Sequence, residues 1–561
     1  MVGNGLLQTT NPPIISGNKT WWWKSRYPVA HYLIAIAVYP YTVYNSPAAI
    51  VNGTAVPITN YLTSGTNTST IRAAVDAMKP VIEHFSTLFG DYPFKKEKYG
   101  HVAYTFGGGM ENQTASYIGT GSLSSKSLLA HELSHQWFGD KVTCNLWGNI
   151  WVNEGFARYA EILYSEKFET ASAAQTKRAS YKNGSGVNST TNTVYRYDTE
   201  IVTEADHTAK IFVSSMVYNK AAIVISMLRK LVGDTQFFVA LKNFIADPAL
   251  AYGNASTEDV QRHFEAVSGL NLTSFFDDFI FKAGYPIYTV NWGTTASGPY
   301  QTAINYTQAK STGSTVDYYN TVLPVRLRNT TLAKDTMVYI FDDVSLNGTN
   351  IYFNTSFPVT SIEVDPYSEA YTYSPVVNPP SIVVTQQLLS LNGSINESGA
   401  ELKWQATESK DFSQFEIERS ADGNQFEAIA NIQGAKDNLS YLYGDEKALT
   451  GNNYYRLKMM DPAGNKIYSN TILLKYSGKA TIKIWPNPAT NRIIVSQSGA
   501  TINGQSIRLI NAAGHTVSPS GVHNNGQSVE ITVSTIPNGI YWLELKQKDG
   551  TKKVERIVIR H

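Results

Sequence analysis

His131-Glu132-Leu133-Ser134-His135, followed by Trp151-Val152-Asn153-Glu154-Gly155-Phe156-Ala157, is the stretch whose reading decides the fold. Two histidines four residues apart on a helix project from one face, one turn from each other, so both rings reach a single ion. The interval to Glu154 is long enough to end that helix near Gly139-Asp140, turn, and start a second helix that returns a third ligand. His131, His135 and Glu154 leave the fourth corner of a tetrahedral site open to water, which marks a catalytic rather than a closed structural zinc site. One Zn2+ per chain is expected. Glu132, beside the first ligand, is placed to act as general base on that water. The metzincin pattern is excluded, because it needs glycine where this chain has Phe138.

Two further motifs flank the pair of helices. Gly108-Gly109-Met110-Glu111-Asn112 lies upstream and Tyr218-Asn219-Lys220-Ala221 downstream. A carboxylate on a glycine-rich segment can approach a ligand closely and pair with an ammonium through charge-assisted hydrogen bonds. A neutral tyrosine hydroxyl, with a reference pKa near ~10, can donate to charge that develops only in a transition state. In order and spacing the four motifs resemble the aminopeptidase N and leukotriene hydrolase family of gluzincins, over roughly residues 1 to 370. The resemblance implies a thermolysin-like, mainly helical α+β catalytic domain acting on peptides with a free N-terminus. It implies that Glu111 holds the α-amine, that Tyr218 donates to the tetrahedral oxyanion, and that the backbone around Gly108 and Gly109 lies along the peptide. The family usually has glycine where this chain has Ala221. An endopeptidase or epoxide-opening hydrolase shares the chemistry, and a surface adhesion protein with an impaired peptidase module is the reading from another class.

Composition narrows the setting. At 561 residues the chain is long for one core and should hold several domains. Its formal net charge of +1 recruits neither nucleic acid nor acidic lipid. Charged residues make up 16%, below the roughly 25% of ordinary soluble domains, which suits an extracellular surface. Cys144 is the only cysteine, so no intrachain disulfide forms and buried packing is its expected role. No apolar run reaches the roughly 18 residues of a membrane span. His31 to Val38, bounded by Pro28 and Pro40, reads as a buried strand. Residues 1–48 read as the remnant of a β-rich N-terminal domain, so the N-terminus looks cut and a signal peptide is expected to be missing with the lost part.

Residues 49–284 form the expected catalytic domain. Ile71, Val75, Met78, Ile82, Phe85 and Phe89 share one helical face, with a kink or break expected at Pro80. Ser256-Thr257-Glu258-Asp259 offers an N-terminal cap. After Gly284 the apolar period becomes two, and three β-sandwich domains are expected: 285–374, then a Pro-rich linker at 375–383, then a fibronectin type III-like unit at 384–476 with Trp404 in its core, and a tail at 477–561. Trp485-Pro486-Asn487-Pro488, Gly514, Pro537-Asn538-Gly539 and the basic ending around Lys552-Lys553 resemble the C-terminal sorting domain of type IX secretion cargo. That resemblance implies the type IX machinery as a partner and the extracellular space or outer-membrane surface of a bacterium as the destination.

Overall fold

The computed structural model describes residues 1–8, 20–185, 193–196, 207–296, 300–384, 388–396, 398–406, 414–423, 425–434, 440–460, 466–476, 482–497, 507–524, 528–546 and 552–561. A helical part is built on a five-stranded sheet and is followed by a series of β-sheet units. The sheet runs, in spatial order, Thr42–Val51, Thr54–Leu62, His101–Tyr104, Ser116–Gly119 and Gly109–Met110. Gly109–Met110 is therefore an edge strand, antiparallel to its one neighbour. The strand Thr42–Val51 runs through the expected boundary at residue 48 and is part of this sheet.

Helices α1 (Ser69–Asp76) and α2 (Met78–Phe89) bury the expected face. The break falls at Ala77 rather than Pro80. Pro80 then sits in the first turn of α2, where its missing N–H has no intrahelical partner to lose. Beneath α2 lies Trp137, fully buried among Phe85, Phe89 and Tyr92, its indole N–H donating to the Gly90 carbonyl at 2.8 Å. That anchor fixes the segment just beyond α3 (Lys126–Ser134), which carries His131 and Glu132. Helix α4 (Trp151–Phe168) packs against α3 and, through the stacked rings of Phe138 and Phe156, 4.7 Å apart, against the segment just beyond it. Helix α5 (Ala171–Asn183) follows and lies on α4. The cap at Ser256 is a full capping box, with Asp259 returning the bond.

Two expectations fail locally. His31–Leu33 is a 3-10 turn and only Ile36–Ala37 is strand, paired with Val2–Gly3. The turn resets the period, so Leu33 and Ala37 face inward while Ile34, Ile36 and Val38 are 57%, 64% and 78% exposed. Cys144 is half-buried rather than buried.

The sheets after Gly284 are not strung on a free linker. Val376–Val377 pairs parallel with Thr289–Val290, and Ser381 and Ile382 donate to the Trp292 carbonyl. Asn350–Ile351 pairs parallel with Ile467–Tyr468, so one sheet runs on from the unit beginning at Pro286 into the unit that contains Trp404. The Trp404 ring is buried and stacked on Tyr441. Across this junction Arg456 is buried, bonded to Asp343 at 3.0 Å, Glu418 at 2.7 Å and the Ser345 hydroxyl at 2.9 Å. Asn452 adds a bond to the Ser268 carbonyl of the helical part. Removing one member of a buried pair strands the other charge, at a cost of about 3–5 kcal/mol. Arg456→Met should therefore lower the unfolding free energy of the full chain by an amount of that order, and its urea midpoint with it. A midpoint equal to wild type in urea titrations followed by circular dichroism would show that the junction is not a structural bond.

Candidate active site

Helix α3 carries His131 and Glu132 on its last turn, and His135 is its C-cap. The regular helix ends at Ser134, earlier than the spacing predicts. Beyond it Asp140, Lys141 and Val142 donate to the carbonyls of His135, Gln136 and Trp137, a wider winding that carries the chain to Gly139 and round. Helix α4 brings Glu154 up in its first turn. The three expected ligands meet: His131 Nε2 and His135 Nε2 are 3.2 Å apart, and Glu154 Oε2 lies 3.4 Å from the first and 3.3 Å from the second.

The far sides of the rings decide what these atoms are. His131 Nδ1 faces Glu161 Oε1 at 3.2 Å, and His135 Nδ1 faces the Phe138 carbonyl at 2.9 Å. Both partners can only accept, so each ring carries its proton on Nδ1 and turns the bare Nε2 inward. Glu154 Oε2 is buried and without a hydrogen-bond donor among the described residues. Three lone pairs thus converge, and only a cation or added protons can stabilise them. Ligands about 2.0–2.1 Å from a tetrahedral zinc stand about 3.3 Å from one another, and two imidazoles with one carboxylate suit that ion. The residues present fit a zinc site on distance, on donor type and on the orphaned oxygen.

Glu132 lies beside this group without contributing to it. Burial pushes its carboxyl up to about 7 against the opposing pull of His131 and His135. The backbone makes room for it at Gly109, where a Cβ would stand 2.2 Å from Glu132 Oε1. A side chain there would push the Glu132 carboxylate from its place, so the glycine acts by contact, not by backbone angle. Glu111 is buried, and burial raises its carboxyl above the usual range. Asn112 donates to the Leu33 carbonyl at 3.1 Å, and Met110 completes the edge strand. Gly108 adopts a φ of +81°, which turns the chain into that strand. Tyr218 sits in a π-helical turn, Ser214–Lys220, that leads into the helix Ala221–Val232. Its ring stacks on His131, and burial with the Glu154 carboxylate holds the phenol well above its usual pKa, so it stays a donor. Gly155 permits this approach: a Cβ there would be 2.7 Å from the Ala221 Cβ.

All of the catalytic and metal residues expected from the sequence, with Gly109 and Glu111, line one cavity of about 200 Å³; Leu128 and Arg158 complete it. Gly108, Met110 and Asn112 support its edge strand and are not in its wall. Three residues were missed by sequence reading. Glu161 orients His131 and also accepts from Arg158 at 2.8 Å and Tyr181 at 2.7 Å; burial opposes its charge, but His131 and Arg158 hold the carboxyl down at about 2. Arg158 reaches the cavity from the same helix. Gln136 pins the edge segment, its amide accepting from Thr114 N at 2.8 Å and donating to the Glu111 carbonyl at 3.3 Å. Glu154, Arg158 and Glu161 lie at intervals of four and three on α4, so their shared face was readable.

Residues 73–279 match the family model of the peptidase family M1 domain, and residues 483–560 match that of the secretion system C-terminal sorting domain. Tricorn protease-interacting factor F2 of Thermoplasma volcanium is 29% identical over 233 residues, 39% of this chain and 29% of that protein. Aminopeptidase N of Lactococcus lactis subsp. cremoris is 30% identical over 178 residues, 32% of this chain and 20% of that relative. The chain spans less than a third of the length of either. The crystal structure of Legionella pneumophila aminopeptidase A in complex with aspartic acid covers 68% of this chain and 43% of its own, at 18% identity and a TM-score of 0.52, a likeness of fold.

Second partners of metal-binding histidines typically contribute 10–100-fold to metal affinity. Glu161→Gln removes the charge behind His131 and should weaken zinc binding by about that factor in a competition with a chromogenic chelator. Unchanged affinity would mean that Glu161 serves only packing.

Proposed function

We propose that this chain, which carries a peptidase family M1 domain and a C-terminal sorting domain, is a secreted zinc aminopeptidase. The observation that carries the reading is convergence: a buried carboxylate, Glu111, closes the same small cavity that holds the His131–His135–Glu154 group, Glu132 and Tyr218. A carboxylate in that place suits a free α-amine and leaves little room for a chain continuing past it, which sets an exopeptidase apart from an endopeptidase.

His131, His135 and Glu154 would hold a zinc ion, which would supply Lewis acidity at the scissile carbonyl and lower the pKa of the attacking water. The work of the chain's own residues follows from their positions. Glu132 takes a proton from the water on its carboxylate, which lines the same cavity as the three metal-facing side chains. The same carboxyl then returns the proton to the leaving amine. Tyr218 donates its phenolic proton in a hydrogen bond to the oxygen that becomes anionic. Glu111 accepts from the ammonium and so counts one residue from the N-terminus. The edge strand Gly109–Met110 exposes backbone groups along which an extended peptide can pair. Gly109, which has no Cβ, leaves the Glu132 carboxylate its place beside that strand.

The sorting domain suggests delivery to the cell surface or the extracellular space. Among the described residues no helix is long and apolar enough to cross a membrane. We assign the type IX machinery as the partner of residues 477–561. Deleting that segment in a host with this pathway should strand the protein inside the cell while leaving its catalytic constants intact; surface delivery of the shortened chain would contradict the assignment.

The activity itself is tested with aminoacyl chromogens and their N-acetylated counterparts. Wild type should cleave only the free amines. Glu132→Gln should keep its zinc and lose about 10²–10⁴ of the rate, the usual share of a positioned acid–base group. Tyr218→Phe should lose about 10²-fold or more in turnover, as for other oxyanion donors. Equal cleavage of acetylated substrate, or full activity in Glu132→Gln, would overturn the reading.

A further inference from the structure

The cavity has a charge polarity that zinc hydrolysis does not require. One end is acidic. Glu111 lies there, and the buried Asp140, whose backbone N–H donates to the His135 carbonyl, has neither carboxyl oxygen hydrogen-bonded among the described residues. The other end is basic. Among the described residues Arg158 is the single Lys or Arg in the cavity wall, and Lys177 stands behind it, 3.9 Å from Glu161. One carboxylate, Glu161, therefore faces two permanent cations among the described residues, and it also accepts from His131, Tyr181 and Ser127.

The two ends lie on opposite sides of the metal group. Glu111 lies on the His135 side: its carboxylate, that of Glu132 and a His135 ring nitrogen bring ligand atoms within 4.8 Å of one another. On the other side the Tyr218 ring stacks on His131, and the Arg158 guanidinium lies 5.5 Å from the centre of that ring. The sequence of groups is thus Glu111, His135, His131, Tyr218, Arg158. The guanidinium is held in a fixed plane over Tyr181 at 5.0 Å and Tyr218, with one terminal nitrogen on Glu161 and a quarter of the side chain exposed. A planar fork held in this way is suited to a carboxylate.

We propose that Arg158 recognises the C-terminal carboxylate of the residue following the scissile bond, so that the preferred substrates are dipeptides. The proposal rests on the aminopeptidase reading and names its substrate class. With the amine on Glu111 and the carbonyl beside Tyr218, the next residue points toward Arg158. An extended chain advances about 3.3–3.6 Å per residue, so two residues place opposite charges at opposite ends. The cavity is also smaller than the roughly 300–1,000 Å³ of ordinary ligand pockets, which suits a substrate of two small residues. Arg158 is specificity-determining here, because it touches substrate. A residue that only positioned Glu161 would change metal binding without sorting substrates by their far end.

The experiment compares alanyl-alanine, its C-terminal amide and the neutral chromogen alanine p-nitroanilide on the full chain, with zinc content measured in parallel. Wild type should cleave the chromogen and prefer the dipeptide to its amide by tenfold or more in kcat/KM, mostly through KM. Arg158→Ala should bring that ratio close to one. Arg158→Gln, which keeps a planar amide between the two rings, should do the same with zinc retained, and serves where Arg158→Ala fails to fold. Cleavage of the chromogen with equal use of dipeptide and amide by wild type overturns the proposal and leaves the aminopeptidase reading standing. A wild-type preference that survives in both variants also overturns it. Cleavage of none of the three overturns the aminopeptidase reading and this proposal with it.

Discussion

Three lone pairs held within 3.4 Å of one another are the constraint on which the rest of the structure depends. Bare Nε2 atoms from His131 and His135 and an orphaned oxygen of Glu154 repel unless positive charge lies among them. The protein commits the rings to that arrangement from behind, through Glu161 and the Phe138 carbonyl. It commits the helices through packing, with Phe138 stacked on Phe156 and Trp137 buried under α2. Destabilisation by converging acceptors becomes affinity for a cation once the framework is rigid enough to prevent them from moving apart.

Close approach is the second requirement, and two glycines meet it. Gly109 lets the edge strand lie against Glu132, and Gly155 lets the helix after Tyr218 lie against α4. In both places a methyl group would meet a reacting or supporting group inside contact distance. The two glycines therefore let Glu132 and Tyr218 reach the same cavity from different elements. Gln136 completes the link by joining the metal-bearing segment to the backbone of Glu111. A displacement of any one of these pieces would be felt at the others. The continuous sheet beyond Gly284, with Arg456 buried at its junction, extends the rigid frame past the helical part.

The metal group was legible in the sequence because its chemistry is local. Histidines four apart share a helix face whatever surrounds them, and Glu154 needed only a second helix of ordinary length. Tyr218 and Glu111 were legible through resemblance, since no spacing rule joins residue 111 to residue 218. Arg158 and Glu161 went unread although they continue the face of Glu154, because a polar face on a helix is ordinarily a solvated one. The His31–Val38 run misled for the opposite reason: its apolar content suggests burial, yet a 3-10 turn leaves every second residue facing out. The sheet continuing past Pro375 was not readable at all. Strand pairing between distant segments depends on register, and alternation alone does not say which strands are neighbours.

Among the described residues two overlapping groups of side chains could each hold an ion: His131 with His135 and Glu154, and Glu111 with Glu132 and His135. They differ in whether Glu132 is a ligand or a free base, which is the centre of the account. Anomalous diffraction from crystals of the full chain, recorded on both sides of the zinc edge, separates them directly. The account predicts one zinc peak per chain, bonded to His131 Nε2, His135 Nε2 and Glu154 Oε2, with Glu132 outside bonding distance. A peak bonded to Glu111 or Glu132, or no zinc peak in protein that cleaves aminoacyl substrates, would contradict it.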